Sequence, residues 1–169
     1  MIITINVDDL IKDLDKDLKK IEQGIEEGMR QVGSEIAQMQ HDIIDANVGG
    51  DGSYVRTGLL KSGVTIMPLE WSPSGVSMTI TNTTSYSVYN ECGTGEFSSN
   101  GQGRQGGWYY PVGDGTYRFT LGMPPKYFVR DSYEHYKEKA PSMIQQSIFN
   151  KLEGGIDSCY QSVKNLNRD

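Results

Sequence analysis

Nine apolar residues, Leu14, Leu18, Ile21, Ile25, Met29, Val32, Ile36, Met39 and Ile43, follow one another three or four positions apart. That spacing puts them on one side of an α-helix, because turns of 3.6 residues return i+3 and i+4 to the same face. The stripe predicts one helix from about Leu10 to about Asp45, with Asp8 or Asp9 placed to cap its first turn. Gly24, Gly28 and Gly33 interrupt it. Each weakens an isolated helix by up to ~1 kcal/mol. The glycines therefore argue against a long independent coiled coil, the rival reading of the stripe, and for close packing on another element.

Before the helix, "MIITINV" reads as a short β-like run. After it, "NVGGDGSY" is a flexible break. Two runs of β character follow "YVRTGLLKSG", at Val64–Leu69 and Val76–Thr81. The second alternates Val76, Met78 and Ile80 with Ser77, Thr79 and Thr81, the pattern of a half-buried strand. "SPSG" between them is a turn. "SSNGQGRQGG" is too polar to bury a core, which predicts a long mobile loop over 95–107. "WYYPV" and "TYRFTL" flank Gly113-Asp114-Gly115, a hairpin signal, since Asp-Gly supplies the positive φ angles of a tight turn. "GMPPKYF" is a rigid connector. A second helical segment is predicted from about Val129 to Leu152, with Pro141 breaking or kinking it. Residues 154–169 read as a tail or a short extra helix. The order of helix, strands and helix predicts a single α+β domain over 1–169. An antiparallel sheet of about four strands would carry a long N-terminal helix and a C-terminal helix on one face. Its parts are 1–50 (strand and long helix), 51–125 (sheet and loop), 126–153 (C-terminal helix) and 154–169.

At 169 residues and 36% hydrophobic content, the chain suits one domain with a modest core. No apolar run approaches the ~18 residues of a membrane helix, and no basic-then-apolar leader opens the chain, so neither membrane contact nor a signal peptide is expected. Cys92 and Cys159 form no CxxC pair. A reduced cytoplasmic setting follows, with a single disulfide between them left open. The formal charge of −6 lies wholly in residues 1–50, where eleven Asp/Glu oppose five Lys/Arg; residues 51–169 carry eleven of each. A protein that grips nucleic acid needs a basic face to displace counterions. None is visible, so tight or sequence-specific DNA binding is not expected.

Chemistry-bearing patterns are sparse. His41 and His135 have no His or Cys neighbour at ligand spacing, so no metal is expected. Cys92 beside Gly93 could be a nucleophile assisted by Glu91 or a histidine, but no motif around either histidine supports the pairing. "GTGEF" and "GQGRQGG" match neither a P-loop nor a dinucleotide fingerprint. Glu91 and Glu96 could be imagined as an acid–base pair; Glu91 reads better as a structural carboxylate accepting backbone N–H bonds near the turn. No cofactor is expected. Trp108, Tyr109, Tyr110, Tyr117 and Phe119 could stack on a sugar or on single-stranded nucleic acid. Alternation along a hairpin predicts that half of them face a core and half face solvent or a partner. With Phe97 and Arg104, Trp108, Tyr109, Tyr110 and Tyr117 form a candidate protein interface.

Three segments, in order, carry a resemblance. "VRTGLLKSGVTI" is similar to a segment of Thr-Gly followed by a leucine and a serine that leads into a strand, matched by Thr57, Gly58, Leu60 and Ser62. "YSVYNECGTG" is similar to a Y-[AS]-x-Y-x-E-x-GT segment, matched by Tyr86, Tyr89, Glu91, Gly93 and Thr94. "MPPKYFVRDSYEH" is similar to a Pro-x-x-Phe segment that opens a last helix, matched by Pro125, Phe128 and Val129. Together, over residues 10–153, they resemble the tail-component family of lambdoid long-tailed double-stranded DNA phages. Its members are head–tail joining or tail-completion proteins of the virion neck. The chain departs from the pattern at Ser87, where Ala is common, and at Cys92, where an aromatic or aliphatic residue is common. Met123-Pro124 stands where an Arg often precedes the Pro-Phe segment. Glu96–Leu121 is longer than the family minimum.

The resemblance implies a non-enzymatic virion protein assembled in the host cytoplasm. Copies would form a six-fold ring between the head connector or stopper and the tail tube or terminator, with DNA passing through unread. The second segment would then be a structural corner, where a helical turn ends at Gly93-Thr94 and Tyr86 and Tyr89, three apart, pack on one face. The loop and aromatic hairpin would be contact elements. An acidic wall from the N-terminal segment would repel DNA and let it slide. The competing readings are a small enzyme built on Cys92, and a carbohydrate- or peptide-binding module on the aromatic hairpin.

Overall fold

The computed structural model describes residues 7–46 and 58–166, with side chains described over 11–46 and 58–153. Residues 1–6 of the expected β-like run at 1–7, the break at 47–54 and Thr57 lie outside the described residues; Val7 opens the first helix instead, so Asp8 and Asp9, expected to cap it ahead of Leu10, lie inside its first turn. The protein is α+β. A long helix α1 (Val7–Ala46) and a helical turn α2 (Leu59–Ser62) come first. Strands β1 (Val64–Ile66), β2 (Glu70–Ser72), β3 (Gly75–Ser77) and β4 (Ile80–Asn82) follow, then a short helix α3 (Ser87–Cys92). A 3₁₀ turn at Gly95–Phe97 leads to β5 (Trp108–Pro111) and β6 (Tyr117–Thr120). Helices α4 (Phe128–Tyr136) and α5 (Ala140–Leu166) close the described chain. The chain divides into two compact units. One gathers α1 up to Gly33 with the chain from Tyr136 onward, and the other is Ser34–His135.

In the first unit α5 packs on α1, and the glycines set how closely. A Cβ on Gly24 would stand 2.6 Å from the Ile148 Cα, and one on Gly28 2.8 Å from the Ile144 Cα. Only hydrogen fits at either place. The most buried line of this half of α1 is therefore Gly24, Gly28 and Val32, each four residues from the next. The predicted apolar stripe meets that line only at Val32 and otherwise lies beside it: Ile21, Ile25 and Met29 are half-buried, while Leu14 and Leu18 are exposed. Lys151 pairs with Glu27 at 2.7 Å on the rim.

The second unit is built on Phe128, whose side chain is fully buried against Ile44 of α1 and Leu60 of α2, with Ile43, Val64 and Tyr86 around them. One turn further along α4, Ser132 is fully buried and accepts a hydrogen bond from the Gln40 side chain at 3.2 Å. Its hydroxyl donates in turn to the Val129 carbonyl at 2.9 Å.

The strands form three two-stranded antiparallel ribbons, β1–β4, β2–β3 and β5–β6, rather than one sheet of about four strands. Among the described residues no third strand joins any of them. The first two ribbons are stretches of one hairpin, linked by the Met67 N–H donating to the Thr79 carbonyl at 2.8 Å and turned at Pro73–Ser74. The predicted strand at Val64–Leu69 stops at Ile66, with β2 starting beyond it at Glu70, and the one at Val76–Thr81 is split at 78–79 between β3 and β4. The predicted alternation holds: Val76, Met78 and Ile80 are half-buried, and Ser77, Thr79 and Thr81 are exposed.

The C-terminal half differs from the single kinked helix expected. The break falls at 137–139, where the Lys139 N–H donates to the Tyr136 carbonyl at 3.0 Å. Pro141 is the second residue of α5, a first-turn position whose N–H has no helical acceptor in any case. Residues 154–166, expected as a tail or separate helix, continue α5 through Gly154 and Gly155.

Gly24→Ala tests the close approach of the helices. At an exposed helical site this change stabilises by about 1 kcal/mol. Here the new methyl meets backbone, and a loss of about 1–3 kcal/mol is expected in urea unfolding followed by circular dichroism. A gain would show that α1 and α5 stand further apart.

Candidate functional site

The three segments singled out in the sequence converge within the second unit. Leu60, from the first, and Phe128, from the third, share one core, and Tyr86, from the second, packs against it. Gly58 enters α2 with φ 73°, a left-handed conformation that glycine adopts without a steric penalty. The Ser62 hydroxyl donates to the Leu59 carbonyl at 3.2 Å and closes that turn.

Glu91 joins the second segment to the third. Its carboxylate accepts the Val129 N–H at 2.8 Å and the Arg130 N–H at 3.0 Å. These are first-turn donors of α4, which have no partner inside their own helix. A negative charge there also meets the positive end of the helix dipole. Glu91 thus caps a helix 38 residues away in sequence, whereas the expectation was of donors near its own turn. The backbone reinforces the join: Lys126 N–H donates to the Asn90 carbonyl at 2.8 Å, and Tyr127 N–H to that of Glu91 at 3.3 Å. Tyr127 takes a φ of 50°, unusual for a non-glycine residue. The Arg130 guanidinium lies 3.3 Å from its ring centroid, a cation–π contact across the helix start.

Gly93 ends α3 with φ 75°. A Cβ there would fall 2.8 Å from the Met123 and Phe97 carbonyl oxygens and from the Pro125 nitrogen, so the corner needs glycine on both counts. Thr94 then grips the returning chain. Its N–H donates to the Met123 carbonyl at 2.8 Å, and its hydroxyl accepts the Met123 N–H at 3.0 Å. Tyr89 does not pack beside Tyr86 as expected: it is exposed, because the core lies on the side of α3 that Tyr86 faces.

The polar segment after the corner is a set of closed turns rather than a structureless loop. Asn100 accepts from Ser98 Oγ at 2.8 Å and from the Gln102 N–H at 3.0 Å. Glu96 accepts the Gly106 N–H at 3.1 Å. The β5–β6 ribbon follows, in the register Trp108↔Thr120, Tyr109↔Phe119, Tyr110↔Arg118 and Pro111↔Tyr117. Alternation was expected to give it one core face, but only Trp108 among its aromatics is half-buried, with Arg104 5.8 Å over its ring. Tyr109 is 70% exposed and Tyr117 67%, and Tyr110, Phe119 and Phe97 are also exposed. Tyr109 and Phe119 meet edge to face at 5.2 Å. At the tip, Asp114 accepts the Thr116 hydroxyl at 2.6 Å and its N–H at 2.9 Å. These bonds hold the Asp114 carboxyl below its ordinary value.

The other candidate groups are dispersed. Cys92 ends α3 as a half-buried free thiol; the Cys159 side chain lies outside the described residues. His135 is exposed near the end of α4, and His41 on α1 has a buried Nε2 without a hydrogen-bond partner. Among the described residues no three His, Cys, Asp or Glu side chains come together as metal ligands, and no helix is long and apolar enough to cross a membrane. The sequence reading missed Ile44 and Gln40, which sit beside the apolar stripe, and Arg130, whose stacking on Tyr127 depends on a backbone angle with no sequence signature. Comparisons with family models, with curated proteins and with solved structures find no match to this chain.

Glu91→Ala is expected to cost about 1–2 kcal/mol through loss of the cap, read as a lower urea midpoint. Asp114 should titrate below an ordinary aspartate in a carboxyl NMR titration, and Thr116→Val should move it back up. Because the folded value is depressed, the contribution to ribbon stability is present above the unfolded value of 3.8 and is lost as pH falls through the folded value.

Proposed function

We propose that the chain is a structural component of the neck of a long-tailed bacteriophage, a head–tail joining or tail-completion protein acting as a ring of copies around the DNA path. The observation that carries this reading is the convergence on Phe128. Three segments resembling one family, separated by long stretches of chain, supply Leu60, Tyr86, Glu91 and Phe128 to one packed and capped corner. A chance resemblance in three unrelated places gives no reason for them to meet. The aromatic ribbon supports the assembly role. A two-stranded hairpin is marginal by itself in water, and this one exposes apolar rings on both faces. Contiguous exposed aromatics of that kind mark surfaces that another protein covers. On this reading the ribbon, with Phe97 and Arg104, meets a neighbouring copy, the head connector or the tail end. DNA passes without sequence-specific contact, and the chain catalyses nothing.

The test is assembly. Light scattering over a concentration range and negative-stain imaging, on the chain alone and mixed with isolated connectors and tails, should show rings or stoichiometric loading. Tyr109→Ser with Tyr117→Ser should leave the thermal midpoint within a few degrees, since both side chains are exposed, and abolish the assembly. A chain that stays monomeric and loads onto neither particle would sink the reading.

A further inference from the structure

The first unit carries, on the N-terminal part of α1, an apolar seam whose side chains Ile11, Leu14 and Leu18 are exposed. Ile11, Leu14, Leu18, Ile21 and Ile25 recur at spacings of 3, 4, 3 and 4, the a and d positions of two heptads. Ile11 is 51% exposed, Leu14 57% and Leu18 58%, and Ile21 and Ile25 are half-buried. α5 makes its close approach to α1 at Gly24 and Gly28, beside the half-buried Ile21 and Ile25. The fully open part of the seam is therefore the two turns from Ile11 to Leu18, about 10 Å of helix, and it passes into the packed stretch from Ile21 on.

The charges beside the seam say what fits it. On the e edge stand Asp15 and Glu22; on the g edge stands Asp17, bonded to Lys20 at 2.8 Å. Lys12, Lys16, Lys19 and Lys20 fall at b, f, b and c, off both edges. Flanking positions set partner choice in helix pairing. A second copy of α1 would bring acid against acid in either orientation: Asp17 to Glu22 if parallel, Asp15 to Glu22 if antiparallel. An anionic lipid surface would meet the same acidic border. A helix with apolar a and d residues and Lys or Arg on its flanks meets complementary charge along the whole e edge.

We propose that the N-terminal seam of α1 is a docking site for a basic amphipathic helix of another protein, laid along Ile11, Leu14, Leu18 and the exposed side of Ile21. The contact is separate from the aromatic ribbon and does not depend on the neck reading.

Two synthetic three-heptad peptides test it, both with Leu at a and d, one with Lys and the other with Glu at e and g. Fluorescence anisotropy with the full chain should show the Lys peptide binding about tenfold or more tightly than the Glu peptide, and more weakly at high salt. Leu14→Gln with Leu18→Gln should remove binding while leaving the thermal midpoint and the light-scattering mass of the free chain unchanged. Asp15→Lys with Glu22→Lys should reverse the preference to the Glu peptide. The proposal fails if the Lys peptide does not bind, if both peptides bind alike, or if binding survives the double Gln variant. It fails equally if that variant melts earlier or changes mass, because the seam would then be covered within the chain or between copies.

Discussion

Phe128 surrenders all its surface to a core of very few residues. Among the described residues the buried hydrophobics are Val32, Ala37, Ile44, Leu60 and Phe128, so no broad interior shares the load. Burying a phenylalanine completely is worth about 1.5–3 kcal/mol, and this one draws in α1, α2, β1 and the start of α3 at once. The helix that presents it must therefore begin in the right place. Glu91 sets that place by holding the first N–H groups of α4, while Gly93 and Thr94 lead the chain back to the same point. Core and cap are interdependent: without the cap α4 frays at the residue the core needs, and without Phe128 the cap holds a helix with little to pack on.

What the molecule leaves exposed follows from the same economy of core. The β5–β6 ribbon and the N-terminal seam of α1 both present large apolar side chains to water. Each is held by local means, the ribbon by ladder bonds and its Asp114–Thr116 tip, the seam by the regularity of a long helix. Neither contributes a fully buried side chain to the interior; Trp108, Ile21 and Ile25 are half-buried. The two surfaces differ in chemistry, one aromatic and one aliphatic with acidic edges.

The long helix was legible because helical periodicity is local, and nine apolar residues keep it for eight turns. The Asp-Gly hairpin and the alternating strand at Val76–Thr81 were legible for the same reason. The seat of α5 on α1 was less so. Apolar count points to the stripe, but the closest approach occurs where side chains are absent, at Gly24 and Gly28, and hydropathy does not weigh hydrogen. Pro141 illustrates a second limit. It announces an interruption, and only the paired backbone shows that the interruption lies before it. The candidate site was half visible: the sequence singled out Tyr86, Glu91 and Gly93 in one segment and Phe128 in another, but not that the two segments meet, that Glu91 reaches 38 residues ahead or that Tyr89 stays outside.

Sequence alone therefore determined the kinds of element, their order, the acidic N-terminal third, and the absence of a periodic apolar run long enough for a membrane. All of these are properties of neighbours along the chain. Tertiary structure decided which line of α1 is deepest, that the strands stop at pairs, and that the aromatic ribbon has no core side. Those depend on which backbones can approach within a few ångströms, and that distance is set by residues remote in sequence.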